Sequence, residues 1–200
     1  MKEVLRYYRL IGAEARPYLS EMSALRLSIF IDFPYLYKGT LEYEKQYLET
    51  YFKSNRSMIF LVQDQRTQQF VGMTTCIIAS DEEESLQKIF PQFGMIPQQV
   101  LYLGESLLLP AYRGQGIGKK YFEVREQFGQ QIGIKTFAFC SVIRPVDHLL
   151  RPSNYQDLAP FWRAQGYAPV PNMVAQYRWR DVGEEEESAK SMQYWIKKVG

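Results

Sequence analysis

The chain has 200 residues, with 24 basic and 22 acidic side chains and 46% hydrophobic residues. This length and composition predict one soluble domain with a full core and exclude a disordered or membrane-embedded chain. The net charge is only +2 and no basic block occurs, so we expect no nucleic-acid partner.

Cysteine and histidine are scarce. Cys76 and Cys140 both lie in apolar runs, so we expect reduced core residues rather than a disulfide framework. His148 is the one histidine, so the ligands for a zinc site are lacking and we expect no metal. No apolar run approaches the roughly 18 residues that span a bilayer, and the first residues lack a signal-peptide pattern. We therefore expect a cytoplasmic protein with no membrane partner.

The first ninety residues predict a strand, two helices, a hairpin and a further short helix. Met22, Leu25 and Ile29 have helical spacing, and the sequence Phe33-Pro34 ends that helix. Two apolar, β-branched runs flank the polar residues 64–69 and indicate a hairpin. In chain order we expect a strand at 4–11, helices at 18–31 and 42–52, hairpin strands at 58–63 and 70–79, and an exposed helix at 81–90.

Residues 101–132 are the most informative segment. An apolar run ends at Pro110, which cannot donate a hydrogen bond to a sheet, and indicates a strand. A glycine-rich turn follows, with the spacing Arg113-x-x-Gly116-x-Gly118. Apolar residues then recur at one face of a 3.6-residue period, which predicts an amphipathic helix. That stripe consists of Ile117, Tyr121, Val124 and Phe128.

A turn of this kind points main-chain N–H groups at one spot, where the helix N-terminus adds partial positive charge. It therefore suits a phosphate or diphosphate. The spacing does not fit a P-loop, because Arg113 takes the place of the first Gly and Lys120 that of the Ser or Thr. It does not fit the Gly-x-Gly-x-x-Gly dinucleotide motif either. An acyl-coenzyme A turn and a strand-to-helix connection without a ligand remain as interpretations.

The C-terminal segment predicts a strand at 134–142, a helix at 155–165 that starts near Leu158 if Pro160 lies in its first turn, and short strands at 167–170 and 173–180. Residues 184–198 predict a last helix, because acids come first and lysines last. We expect Met192, Trp195, Ile196 and Val199 to pack it against the body or to form a dimer contact. The chain is accordingly expected to be a monomer or a homodimer.

Residues 103–119 resemble the signature motif of the GNAT superfamily of acetyltransferases, Arg/Gln-x-x-Gly-x-Gly/Ala after a strand. The order of predicted elements is similar to this family over about residues 4–180. The resemblance implies an α+β GNAT acyl-CoA N-acyltransferase fold, a central mixed, mostly antiparallel sheet flanked by helices. We expect a single domain, 1–200, with a helical extension at 184–198.

The resemblance implies acetyl-CoA as the acyl donor. In this family the pyrophosphate lies on the N–H groups of the turn and the pantetheine arm pairs with the end of the fourth strand. That strand parts from the fifth, and Gly104 is a plausible bulge at this point. A backbone N–H around Leu107 would polarise the thioester oxygen. The implied cofactor residues are Leu107, Leu108, Leu109, Arg113, Gly114, Gln115, Gly116, Ile117, Gly118 and Lys119.

The resemblance also implies a primary amine as acceptor, from a small molecule or a peptide. Glu105 is the candidate base, because a carboxylate is unusual in an apolar strand. The family's proton donor is a Tyr, but the matching residue here is Trp162, which we expect to pack against the cofactor arm or the core. Tyr155 and solvent are the alternatives for reprotonating the thiolate, and the alternative role for Ser141 is a hydrogen bond to the pantetheine or the substrate.

Segment 30–51 is rich in aromatic residues, and the resemblance places it beside the acceptor. Tyr43, Tyr47 and Tyr51 have the spacing of a core stripe, so both interpretations stay open. Arg144 and Arg151 are expected at the far side of the splay, facing an acidic acceptor or the adenosine phosphate. We expect an acetyl-CoA-dependent N-acetyltransferase. The alternatives are a weak or silent acyl-CoA-binding module and an ATP-binding protein, which the lack of a magnesium-ligand pattern disfavours.

Overall fold

The computed structural model describes residues 4–200 and shows one mixed sheet with helices on both faces. Its strands are β1 (Leu5–Ile11), β2 (Ser57–Asp64), β3 (Phe70–Ile78), β4 (Val100–Leu108), β5 (Thr136–Val142), β6 (Ala168–Trp179) and β7 (Ser188–Lys198). Its α-helices are α1 (Leu19–Phe30), α2 (Leu41–Lys53), α3 (Glu84–Gln87), α4 (Ile89–Gln92), α5 (Ile117–Gln131) and α6 (Ala159–Ala164). No helix in this range is long and apolar enough to cross a membrane.

The sheet order is β1-β2-β3-β4-β5-β7-β6, and neighbouring strands are antiparallel except for β4 and β5. The parallel pair is short. Only Val100–Tyr102 of β4 pairs with β5, opposite 136–138, and the two strands then separate. This mixed, mostly antiparallel sheet flanked by helices confirms the expected fold class. The separation leaves a cleft in the middle of the sheet.

A β-bulge in β4 lies where the cleft opens. Tyr102 pairs with Ile77 and Glu105 pairs with Thr75, so two residues of β4 oppose the single residue Cys76 of β3. The extra residue reverses the side-chain alternation. Strict alternation would place Glu105 with Leu103, whereas the bulge directs it to the opposite face of the sheet, where Arg26 contacts it. The bulge expected near Gly104 is therefore confirmed.

Two apolar layers cover the two faces of the sheet. Helices α1 and α2 bury Met22, Leu25 and Leu48 against one face of β2 and β3. On the other face, α5 buries Ile117 and Tyr121 within a cluster that includes Phe60, Val62, Phe128 and Phe137. The expected stripe of α5 is confirmed at Ile117, Tyr121 and Phe128, which are all buried.

The expected C-terminal helix is wrong. Residues 188–198 form β7, which lies between β5 and β6 and pairs with both. The apolar residues of this segment fit two periods, since Met192 and Tyr194 also alternate as in a strand. Hydrogen bonding to a neighbour on each side outweighs the local helical spacing. A strand inside the sheet is not free to act as a separate helical dimer contact.

The boundaries of several other elements also differ from those expected from the sequence. The helix expected at 155–165 is limited to α6, whose first N–H is capped by the Asp157 carboxylate at 2.8 Å from Ala159 N. The strands expected at 167–170 and 173–180 are one strand, β6, with an irregularity between Pro169 and Val174. The helix expected at 81–90 is broken into α3 and α4 and is not simply exposed, since Leu86 and Phe90 are buried.

Gly104 has a steric reason to be glycine, which gives a first prediction. A Cβ added there would collide with the Tyr51 hydroxyl and lie 2.8 Å from Thr75 Oγ1. We expect Gly104→Ala to lower the free energy of unfolding by about 1–3 kcal/mol, because the site is already full. Urea unfolding measures this loss. The same substitution should cost less in a Tyr51→Phe background, and an equal cost in both backgrounds would contradict the assigned collision.

Candidate functional site

The cleft between β4 and β5 forms a cavity of about 360 Å³. Its walls come from both separated strands, from the loop after α1, from the segment after β5 and from α6. The lining includes Gly104, Ser106, Phe139, Ser141, Tyr155 and Trp162. The cleft is open because β5 pairs with β4 only at residues 136–138, whereas its other edge pairs with β7 along residues 136–142.

A second cavity of about 170 Å³ lies on the α1–α2 side of the sheet. Tyr43 and Tyr47 of α2 face it, while Tyr51 is buried, so the expected core stripe of three tyrosines holds only for Tyr51. Steps of four residues drift around a 3.6-residue helix and carry these side chains to different environments. Five residues line both cavities, which therefore meet at Phe30, Tyr35, Gly104, Glu105 and Cys140.

Glu105 at this junction belongs to a buried array of three charged side chains. Arg26 of α1 donates from Nη1 to Glu105 Oε2 and from Nε to Glu44 Oε2 of α2. The side chains of Glu44 and Glu105 are 0% and 2% exposed. Within residues 4–200, Glu105 Oε1 and Glu44 Oε1 have no hydrogen-bond partner. One oxygen of Glu105 is thus held by Arg26, and the other is free at the junction of the cavities.

The environment of Glu105 sets its protonation. Burial raises the pKa of Glu105 to about 7, since the charged form is poorly solvated there. The Arg26 cation works in the opposite direction, and the Glu44 carboxylate again favours the protonated form. A carboxyl group with such a pKa is able to take a proton and release it near neutral pH.

The main chain of Glu105 is fixed as firmly as its side chain. Its carbonyl oxygen accepts a hydrogen bond from Thr74 Oγ1 at 2.6 Å and one from Arg125 Nη1 at 3.3 Å. Arg125 is 2% exposed and also donates from Nε to Tyr121 O at 3.1 Å. These bonds satisfy the carbonyl group at the bulge. The main chain and the side chain of Glu105 are therefore both fixed in position.

The register of β4 shows which peptide groups face the cleft. Leu107 lies opposite Met73, and Leu109 N donates to Val71 O at 2.9 Å, so both direct their peptide groups toward β3. Alternate residues of a strand present N–H and C=O groups to opposite edges. The peptide groups of Ser106 and Leu108 therefore face the open edge. Among the residues around Leu107, these two offer N–H groups to the cleft.

The glycine turn leads directly into α5. Gly114 and Gly116 have φ angles of +76° and +84°, which side chains disfavour, and Gly116 is the N-cap residue. An added Cβ at either glycine would meet nothing within 4 Å, so the space in front of the turn is open. The first N–H of the helix to reach a preceding carbonyl is that of Lys120, which bonds to Gly116 O at 3.1 Å. The N–H of Arg113 bonds to Pro110 O at 3.2 Å. The N–H groups of residues 114–119 lack such a bond, as expected at a helix start.

The other residues expected in the cofactor site lie around this turn. Arg113 folds back and donates from Nε to Leu108 O at 3.0 Å, while Gln115 is exposed. Gly118 faces Phe161 of α6, whose Cζ would lie 3.4 Å from an added Cβ. Lys119 is exposed and lies 3.8 Å from the Glu123 carboxylate.

Three further expected residues line the cleft together. Trp162 packs against Phe139 and Trp195, with ring centroids 5.1 Å from each. Ser141 Oγ accepts a hydrogen bond from Trp195 Nε1 at 3.0 Å, which leaves its own proton free to be donated. The Tyr155 ring lies edge-on to Phe33, and burial raises its pKa, so its hydroxyl is protonated at neutral pH.

Arg144 and Arg151 both line the cleft, as expected, but most donors of Arg144 are used within the protein. The Arg144 guanidinium donates to Pro34 O at 2.7 Å, to Tyr35 O at 2.6 Å and to Asp181 Oδ2 at 2.6 Å. Arg144 thus ties the loop after α1 to the end of β6. It positions Tyr35 at the junction of the two cavities.

Sequence reasoning missed Arg26 and Glu44. Arg26 lies four residues after Met22 and next to Leu25, on the apolar stripe of its helix. Glu44 lies four residues before Leu48, again on a buried face. A charged residue at a stripe position is the signal that would have found both, because charges are rarely buried without a partner.

The model of the acetyltransferase (GNAT) family matches residues 24–148, which is more than half of the chain. No curated protein is significantly similar to the chain in sequence. Among the described residues, no group of three or more His, Cys, Asp or Glu side chains could hold a metal ion.

Solved structures share the fold. An acetyltransferase from Thermus thermophilus has 17% identity and a TM-score of 0.56, with 98% of this chain and 99% of that chain covered. A mosquito arylalkylamine N-acetyltransferase like 5b has 12% identity and a TM-score of 0.59, covering 97% and 100%. The polyamine N acetyltransferase of Drosophila melanogaster has 11% identity and a TM-score of 0.58, also covering 97% and 100%. At these identities the likeness shows the fold alone.

The open glycine turn gives a second prediction. We expect Gly116→Asp to weaken acetyl-CoA binding on the order of tenfold, because it places a negative charge where helix N–H groups attract an anion. Gly94→Asp is the matched control, since Gly94 also has a positive φ, +68°, with open space before it. Calorimetric titration compares the two. Equal effects of both variants, or none, would exclude an anion site at the turn.

Proposed function

This chain belongs to the acetyltransferase (GNAT) family, and we propose that it transfers an acetyl group from acetyl-CoA to a primary amine by direct attack on the thioester. The observation that carries the proposal is the free, buried oxygen of Glu105 at the junction of two cavities. One cavity suits the donor and the other suits the acceptor. The two cavities would bring the acyl donor and the amine acceptor to one carboxylate. Positioning the reactants in this way lowers the activation barrier of the transfer substantially.

The residues of the turn and the cleft fit acetyl-CoA. The N–H groups from Gly114 to Gly118 would hold the diphosphate, because glycines leave room for a close approach and the Arg113 N–H is already bonded to Pro110 O. The open edge of β4 at Ser106 and Leu108 would pair with the pantetheine arm, beside Leu107, Leu109 and Trp162. When bound, acetyl-CoA supplies the activated acyl group. A main-chain N–H of this edge would stabilise the developing oxyanion.

Glu105 would take the proton from the acceptor. An ammonium group cannot attack a thioester, so the amine must first lose a proton. Arg26 holds Oε2 of Glu105 and leaves Oε1 free at the cavity junction. A pKa raised by burial to about 7 makes this oxygen a stronger base than an exposed carboxylate. The proton then passes to solvent.

The departing thiolate needs a proton or remains an anion. Trp162 cannot supply one, because an indole is not an acid of that kind. Tyr155 and Ser141 both line the cleft with protons to donate, so either hydroxyl would serve. The absence of the usual Tyr also keeps a second candidate, a weak or silent acyl-CoA-binding module. Thiol release with a panel of amines separates the two.

The second cavity favours a cationic amine with an apolar body. Its walls are mainly aromatic and include Tyr37, Tyr43, Tyr47 and Trp179, which attract cations to their faces. Glu82 and Glu83 add carboxyl groups to the wall, while the Arg26 cation is already bound to two glutamates. The mosquito and Drosophila proteins with the same fold carry names that specify amines. The acceptor is thus an amine of a small molecule or peptide without a nearby carboxylate. A cytoplasmic location completes the proposal, supported by two free cysteines.

A third prediction concerns the base. We expect Glu105→Gln to lower kcat/KM by about 10²–10⁴, because an amide cannot accept the proton, while the Kd for acetyl-CoA stays unchanged. A thiol-release assay and a binding titration measure the two. Glu84→Gln, on the exposed part of α3, controls for the loss of one carboxylate. Wild-type turnover by Glu105→Gln with every amine would remove its assigned role.

A fourth prediction concerns the acceptor. We expect tyramine to exceed tyrosine in kcat/KM by at least about tenfold, because a carboxylate near Glu82 and Glu105 enters a poorly solvated site that already holds these two carboxyl groups and whose Arg26 cation is already bound to two glutamates. Tyrosine methyl ester is the matched control, since it keeps the extra bulk and removes the charge. The ester should behave like tyramine. If the ester were as poor as tyrosine, bulk rather than charge would set the preference.

A further inference from the structure

Glu44 presents a problem that the proposed reaction does not explain. Its side chain is fully buried and lines neither cavity. Among residues 4–200, Oε1 has no hydrogen-bond partner of ordinary geometry, and the Tyr37 hydroxyl is the neutral group that interacts with this carboxyl group. Leaving a buried carboxyl oxygen unpaired costs stability. An apolar residue at this position of α2 would fold at lower cost, so the carboxylate needs a reason that lies in the site.

The reason lies in Arg26, which Glu44 shares with Glu105. An arginine beside a single buried carboxylate forms a tight ion pair that keeps the carboxylate charged and unable to accept a proton. Here the guanidinium divides its donors, with Nε on Glu44 and Nη1 on Glu105. The Tyr47 ring, 4.2 Å from the guanidinium carbon, and the Phe30 ring, 5.1 Å away, restrict its movement.

We propose that Arg26 and Glu44 form a positioning pair, in which Arg26 orients Glu105 while Glu44 neutralises enough of its charge to leave Glu105 free to accept a proton. This inference rests on the proposed role of Glu105 as base. The shared cation orients one oxygen of Glu105 and leaves the other for the acceptor. Arg26 and Glu44 act through Glu105 and need not touch the substrate.

The other titratable groups that face Glu105 leave the control of its protonation to Arg26 and Glu44. Tyr47 and Tyr51 of α2, Tyr35 of the loop after α1 and Cys140 of β5 are neutral, because burial raises the pKa of each, that of Cys140 to about 12. Glu82, after β3, accepts a hydrogen bond from Tyr51 at 2.8 Å, and burial raises its pKa. Within the described residues, Arg26 is the cation that contacts the Glu105 carboxylate, whereas Arg125 contacts its main-chain carbonyl oxygen.

The test is Glu44→Gln, which keeps the size of the side chain and an oxygen for Arg26 but removes the charge. The undivided Arg26 cation should then lower the pKa of Glu105, and the acid limb of kcat/KM should move down by about one pH unit or more. Carbon-13 NMR of the Glu105 carboxyl, assigned with Glu105→Gln, follows the same titration without substrate. Glu42→Gln, exposed on the same helix, should change neither.

A second variant should shift the pKa of Glu105 in the opposite direction. It keeps the proposal testable if Glu44→Gln fails to fold. In the double variant Arg26→Met with Glu44→Gln, the cation is removed and burial is unopposed, so the pKa of Glu105 should rise above that of the wild type. A change in the Glu105 titration of either variant in the wrong direction, or no change in either, overturns the positioning pair. If the NMR titration moves as expected and the acid limb does not follow, the pair stands and the assignment of Glu105 as base fails.

Discussion

The early end of the pairing between β4 and β5 is the constraint on which the site depends. After Tyr102 the two strands share no hydrogen bonds, so the middle of the sheet opens and β4 keeps an unpaired main-chain edge. The bulge at the same place directs Glu105 to the face covered by α1 and α2. One local irregularity therefore creates the cleft, exposes its peptide groups and places a carboxylate between two cavities. Gly104 and the two hydrogen bonds to the carbonyl oxygen of Glu105 stabilise that irregularity.

Three arginines near the cleft are hydrogen-bonded to other groups of the protein. Arg125 holds the carbonyl oxygen of Glu105, Arg26 holds its side chain, and Arg144 holds the loop that carries Tyr35. All three arginines therefore bind the protein itself. The polar groups that remain near Glu105 include peptide groups, hydroxyls and one carboxyl oxygen, while Glu82 and Glu83 line the second cavity. A site of this kind would polarise and deprotonate reactants by fixed geometry, as the proposed acyl transfer requires.

The sequence was sufficient for the parts of the fold that local chemistry specifies. The stripe of α5, the glycine turn and the bulge at Gly104 each follow from residue types within one short segment. The last strand could not be predicted, because Met192, Trp195, Ile196 and Val199 fit a helix equally well until β5 and β6 are in place. Arg26 and Glu44 were missed for a related reason, since their partner Glu105 is distant in sequence and meets them only through the bulge.

The position of β7 has a consequence for how the chain assembles. This strand follows all the others in sequence, yet it fills the gap between β5 and β6 and supplies Trp195 to the wall of the cleft. During synthesis from the N-terminus, β1 to β4 can pair in order, while β5 waits with one edge bare until the final strand arrives. An unpaired edge of this kind attracts other chains. The cleft between β4 and β5 is therefore expected to become native only after β7 has paired, and until then the bare edge of β5 is open to association with other chains.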